Sequence, residues 1–131
     1  MEDQFKLEII SPEKIIFSDD VKMVTFPSYE GDMSVLKNHV SIITFLRPGI
    51  ISVQKNEGSF EKFFVQDGTI EYFNDSLVVL SSSAINVKDL SKDFLSDLEK
   101  NTQNKLTEKN ISDHDRYILN YKLDTIKDLR I

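Results

Sequence analysis

Two histidines, His39 and His114, are the only side chains here able to exchange a proton freely near neutral pH, and there is no cysteine. A hydrolytic triad needs a histidine to activate its nucleophile. Neither histidine stands in a nucleophile-like setting. His39 closes a polar, turn-forming stretch, Ser28 to Val40, that also holds Glu30, Gly31 and Asp32. His114 lies in Ser112-Asp113-His114-Asp115, the outline of a helix start. They read as a turn histidine and a solvent-facing helix-start residue. Zinc would require clustered Cys, His and carboxylate ligands, and none cluster. Asp19-Asp20 and Asp113/Asp115 lack the spacing of a calcium loop. They read as turn acids and as first-turn acids favoured by the helix dipole. Glycines 31, 49, 58 and 68 match no phosphate-binding fingerprint. No catalytic residue, metal or cofactor is expected.

The elements that would hold these residues change character near Val87. Before it the apolar period is two. Phe5, Leu7 and Ile9 alternate with Lys6 and Glu8; Val21, Met23 and Thr25 alternate with Lys22, Val24 and Phe26; Ile51 and Val53 alternate with Ser52 and Gln54. Such alternation turns one face to a core and one to water. Further strands rich in aromatic and β-branched residues are expected over 60–66, 69–73 and 77–81. Turn residues punctuate them at Ser11-Pro12, Asp19-Asp20, Pro48-Gly49, Asn56-Glu57-Gly58, Asp67-Gly68 and Asn74-Asp75. Many short strands of this kind predict an antiparallel sandwich or barrel. Eight of the nine phenylalanines fall in this half, as a two-sheet core requires.

After Val87 the period lengthens to that of a helix. Leu90, Phe94, Leu95 and Leu98 share a face, with Asp89 or Ser91 as N-cap. Residues 101–111 read as a frayed helix end and a turn. A second helix follows from the Ser112 cap through Ile118, Leu119, Leu123, Ile126 and Leu129. Residues 1–87 carry seven basic and thirteen acidic side chains; residues 88–131 carry nine of each. A hairpin of roughly 40 residues with no disulfide or metal rarely folds alone, so it must lean on the sandwich or on a partner. The packing face is expected at Leu90, Phe94, Leu98, Leu119, Leu123 and Ile126. Two domains are expected, 1–87 and 88–131.

With 131 residues, the chain can hold one core plus a small appendage. Its net charge of −6 and the lack of a basic patch argue against nucleic acid as a partner. The longest apolar runs, such as Leu77-Val78-Val79-Leu80, are too short to span a bilayer. The acidic start, Met1-Glu2-Asp3-Gln4, is unlike a signal peptide.

The arrangement of a β-rich half and a C-terminal helical hairpin resembles the epsilon subunit of bacterial F-type ATP synthases, called delta in mitochondria. Phe5-Lys6-Leu7-Glu8-Ile9-Ile10-Ser11-Pro12 with Ile16-Phe17 is similar to that family's first hairpin. Glu30-Gly31-Asp32 through Asn38-His39, then Leu46-Arg47-Pro48-Gly49-Ile50, resembles its most characteristic segment. Val65-Gln66-Asp67-Gly68 and Val78-Val79-Leu80-Ser81 fall where it has later strands.

The resemblance implies a sandwich of about ten strands followed by two antiparallel helices. It implies a non-catalytic rotor subunit that links gamma to the c-ring and couples proton flow to ATP synthesis. Glu30, Gly31 and Asp32 would face the c-ring, His39 would lie at a turn near the interface, and one sandwich face would pack on gamma. The hairpin would be the part able to reach alpha and beta subunits. The implied location is peripheral, on the cytoplasmic face of the bacterial inner membrane, with membrane association only through the complex. Some relatives bind ATP through an Ile-Asp start and an arginine-rich first helix. Ile85-Asn86, Lys88 and Lys92 stand there in this chain, so no ATP site is assigned. The second helix matches four basic with four acidic residues, which predicts weak inhibition of hydrolysis. The competing reading is a small ligand- or carbohydrate-binding sandwich with Tyr29 and Tyr72 lining a groove.

Overall fold

The computed structural model describes residues 3–130. Ten strands come first: β1 (Phe5–Ile10), β2 (Ile15–Val21), β3 (Met23–Ser28), β4 (Gly31–Leu36), β5 (Ile42–Leu46), β6 (Gly49–Asn56), β7 (Ser59–Val65), β8 (Gly68–Phe73), β9 (Ser76–Leu80) and β10 (Ile85–Asn86). A 3₁₀ turn, Val87–Asp89, leads to helices α1 (Lys92–Leu106) and α2 (Asp113–Leu129). Strand order is β10-β7-β6-β3-β5-β8-β9-β1-β2, with β4 on the other side of β3. The β1–β9 pair is parallel; the others are antiparallel. One residue pair, Ser28–Leu46, joins β3 to β5. That single link is the corner where the sheet folds into two layers.

Between the layers lies one core. Leu7, Ile9, Val24, Phe26, Ile51, Phe63, Ile70, Leu77 and Val79 are fully or almost fully buried. Edge-to-face contacts Phe5–Tyr72 (5.6 Å) and Phe17–Phe63 (5.7 Å) bridge distant strands. The expected alternation holds in β1 and β6. It inverts between β2 and β3: Val21 is buried, but beyond Lys22 it is Val24 and Phe26 that point inward, not Met23 and Thr25. The chain bends at Lys22, and one residue out of register exchanges the faces. Asp19-Asp20 is not a turn either. Both acids lie inside β2, and Asp19 pairs with Lys55 of β6 at 2.8 Å. The polar stretch after Ser28 is only partly turn, since Gly31–Leu36 forms β4 along the whole of β3.

The helices begin where their caps dictate. Ser91 Oγ accepts the Phe94 amide at 3.0 Å, so Ser91 and not Asp89 caps α1. Ser112 Oγ accepts the Asp115 amide at 3.0 Å and starts α2. Helix α1 continues to Leu106 through the stretch expected to fray. Buried Thr102 fits there because its hydroxyl donates to the Leu98 carbonyl at 2.7 Å. Docking of the hairpin rests on a second small core of Phe64 from β7, Leu95 and Ile126, flanked by Ile50, Leu90, Leu98 and Leu129. Phe94 stands outside it and is exposed; Leu95 takes the inward place. Leu119 and Leu123 are half-buried. An Arg130–Glu99 ion pair ties the end of α2 to the middle of α1.

Candidate functional site: the Arg47 corner and the exposed sheet face

The turn between β3 and β4 consists of Tyr29 and Glu30. Ser28 is buried, and its hydroxyl donates to the Gly31 carbonyl at 2.6 Å and accepts the Glu30 amide at 3.3 Å. Gly31 takes φ +128°, which a side chain would strain. The turn is held from within, leaving Glu30 and Asp32 exposed.

The β5–β6 connection passes directly beside it. The Arg47 amide donates to the Pro27 carbonyl at 3.0 Å. Pro27, lacking an N–H, offers that carbonyl without requiring a ladder partner of its own. Gly49 permits the approach: a Cβ there would lie 2.8 Å from the Pro27 ring. The corner aims the Arg47 guanidinium at two elements. One nitrogen faces Asp32 at 3.6 Å. The carbon lies 3.9 Å from the centre of the Tyr121 ring on α2. The guanidinium also donates to the Tyr117 hydroxyl at 3.4 Å, and that hydroxyl donates to the Tyr29 carbonyl at 3.2 Å. Only 13 % of the Arg47 side chain is exposed, so this cation is largely withdrawn from water.

His39 is placed elsewhere. It follows the turn at the other end of β4, where Leu36 pairs with Met23, whereas Gly31 pairs with Ser28. Asn38 holds φ +68° there. The His39 ring meets Tyr72 edge-on at 5.8 Å, and its Nδ1 lies 2.7 Å from the Val40 carbonyl. Tyr72 is 1 % exposed, so it cannot line a groove with Tyr29. Burial, reinforced by Asp75, pushes the Tyr72 phenol up to about 12.

A feature absent from the sequence expectations is the outer face of the β5-β8-β9-β1-β2 layer. Phe45 pairs with Thr69, Thr69 with Leu80, Leu80 with Ile10, and Ile10 with Ile15. This cross-strand row is apolar except for one threonine, and Phe45 (62 %), Leu80 (51 %) and Ile15 (59 %) are exposed. Ile43 and Phe73, also exposed, extend the face. An open groove of about 620 Å³ runs along it between Tyr29, Phe45, Leu80 and Ile10. The next row reads Ile43, Glu71, Val78, Glu8, Ser18, which sets two acids among apolar neighbours. Phe45 and Leu80 sit at outward positions of a period-two pattern; the row they form emerges only from register.

A sandwich with a docked helical hairpin, one apolar outer face and a clamped acidic turn defines a class of β-rich subunits built for assembly. Residues 4–87 match the family model described as ATP synthase, Delta/Epsilon chain, beta-sandwich domain. The chain is 41% identical over 130 residues to an ATP synthase epsilon chain of Pelagibacter ubique, covering 98% of this chain and 99% of the relative. It is 35% identical over 95 residues to an ATP synthase epsilon chain of Rhizobium johnstonii, covering 72% and 70%. Its fold is similar to a chain in the Euglena gracilis mitochondrial ATP synthase OSCP/F1/c-ring structure, with a TM-score of 0.74 at 19% identity, covering 96% and 79%. A chain of the Tetrahymena thermophila mitochondrial ATP synthase central stalk/c-ring has the same fold, with a TM-score of 0.64 at 10% identity, covering 96% of each. The chain belongs to the ATP synthase delta/epsilon family. No helix among the described residues is long and apolar enough to cross a membrane.

Proposed function

We propose that this chain is a non-catalytic subunit of the central rotor stalk, joining a gamma subunit to the c-ring. The exposed row from Phe45 through Leu80 and Ile10 to Ile15 carries the reading. An apolar face of that kind on a folded domain marks a protein contact. We assign it to gamma. Glu8 and Glu71, set within the face, would select a partner surface that is apolar with basic residues at matching places.

The clamped turn Glu30-Gly31-Asp32 is assigned to the c-ring. Its backbone is fixed by Ser28 and its acids are exposed, so it can present charge in a set geometry. Charge placed this way fixes register more than affinity. His39, at the far end of β4, is assigned to a separate contact. The proposed location is the cytoplasmic face of the membrane complex, reached through these partners. The mixed charge of α2 supports weak control of hydrolysis, with any contact to alpha and beta subunits made by a released hairpin.

Co-purification tests the assignment. The full chain should bring down gamma, and with it the c-ring, from detergent-solubilised membranes at low and moderate salt. A chain that captures no gamma under either condition overturns it.

A further inference from the structure

We infer that Arg47 is a positioning residue that makes the Glu30–Asp32 turn and helix α2 a single coupled unit. The guanidinium shares itself between Asp32, an acid of β4 next to the turn, at 3.6 Å and the Tyr121 ring of α2 at 3.9 Å. Tyr117 closes the circuit by binding the Tyr29 carbonyl at 3.2 Å, and the His114 ring lies tilted beside the Tyr29 ring at 5.9 Å. Three side chains spaced along α2, at 114, 117 and 121, therefore touch the turn or the arginine that braces it. The i, i+3, i+7 spacing places them on one helical face.

The physical basis is competition and reinforcement around one cation. A guanidinium held flat by a carboxylate presents its face to an aromatic ring; without the carboxylate the arginine regains its rotamers and the stack weakens. The corner strand adds rigidity, because the Arg47 backbone is tied to Pro27. Whatever grips Asp32 from outside must draw on the same arginine. Binding at the turn and docking of α2 therefore change one another's free energy by equal amounts. The assignment of the turn to the c-ring gives this coupling its meaning in the rotor. The coupling itself is intramolecular, so it can fail while the ring assignment stands, or hold while that assignment fails.

The test is amide hydrogen exchange on the full-length isolated chain. Arg47→Ala should speed exchange across α2 about tenfold, the loss of one stacked cation and its hydrogen bond. Amides of β8 and β9 should be unchanged, which reports an intact sandwich. Asp32→Asn should speed α2 exchange about two- to fourfold, the scale of an exposed ion pair, although the change is made in β4. The decisive comparison repeats Asp32→Asn in the Arg47→Ala background, where its effect on α2 should vanish. Tyr121→Phe should preserve the coupling and Tyr121→Leu should abolish it. These two variants also serve if Arg47→Ala does not fold. Equal effects of Asp32→Asn with and without Arg47, or coupling that survives Tyr121→Leu, overturn the inference.

Discussion

Tyr72 donates its hydroxyl to Asp75 Oδ1 at 2.7 Å, and the same oxygen accepts the Asn38 amide at 2.9 Å. One carboxylate thus ties the β8–β9 turn to the turn that carries His39. Asn74 and Asp75 hold φ of +53° and +60°, the conformation of a tight hairpin turn. Asp75 is placed by that turn to receive both donors.

This arrangement makes stability depend on pH at both ends of the scale. Burial, then Asp75, raises the Tyr72 phenol from 10.0 to about 12. The folded chain keeps that proton longer than the unfolded chain does. Its contribution is complete below pH 10 and is lost as pH rises towards about 12. Urea midpoints of the native chain should fall more steeply over that window than those of Tyr72→Phe; equal slopes would show that the phenol is not responsible. Asp75 works in the opposite sense. The Asn38 amide first, and the Tyr72 hydroxyl second, hold its carboxyl below 3.8. Its stabilisation is present above the unfolded value and disappears as pH falls through the lower folded value, so Asp75→Asn should flatten the acid limb.

Gly49→Ala should destabilise the chain by about 1–3 kcal/mol, the usual cost of forcing extra volume into a packed place. The new methyl would meet the Pro27 ring at 2.8 Å, and that ring is held in β3. Thermal or urea unfolding measures the loss. An unchanged midpoint would mean that the Pro27 corner moves aside freely.

Charge placed on the exposed row should separate binding from folding. Phe45→Glu and Leu80→Glu change exposed residues, so unfolding midpoints should hold within about 0.5 kcal/mol. Affinity for gamma should drop about thirtyfold or more if either is an anchor of the interface. Glu8→Lys or Glu71→Lys should instead slow association, most at low salt. Native-like capture of gamma by both row variants would remove this face from the rotor contact.

The hairpin should be separable from the sandwich. Ile126→Ala empties a fully buried place against Phe64 and Leu95 and should cost the docked hairpin about 2–5 kcal/mol. Exchange protection should fall in α1 and α2 and persist in β1, β8 and β9. Ending the chain after Val87 should leave assembly with gamma intact and alter ATP hydrolysis little. A large rise in hydrolysis would show that the tail inhibits strongly despite its balanced charge.

Local chemistry made much of this legible in the residues themselves. The Ser112 cap, the alternation of β1 and β6, and the change of period near Val87 depend on neighbours a few positions away. So does the turn at Gly58, with φ of +76°. The misreadings share a cause as well. Met23 and Thr25 were expected inward because the pattern runs unbroken through Lys22, whereas the chain bends there and reverses the faces. Tyr72 carries no mark in sequence that distinguishes it from an exposed aromatic; Phe5 and His39 bury it from two remote segments, and Asp75, three residues on, takes its hydroxyl.

Sequence alone determined that strands precede helices and that Ser112 caps the second helix. Those properties follow from side-chain periodicity and from hydrogen bonds between near neighbours. Tertiary structure decided which outward residues line up as Phe45, Leu80, Ile10 and Ile15, and that Arg47 lies between Asp32 and Tyr121. Strand register and the fold at Pro27 bring those groups together across tens of residues, and such distances leave no periodic trace along the chain.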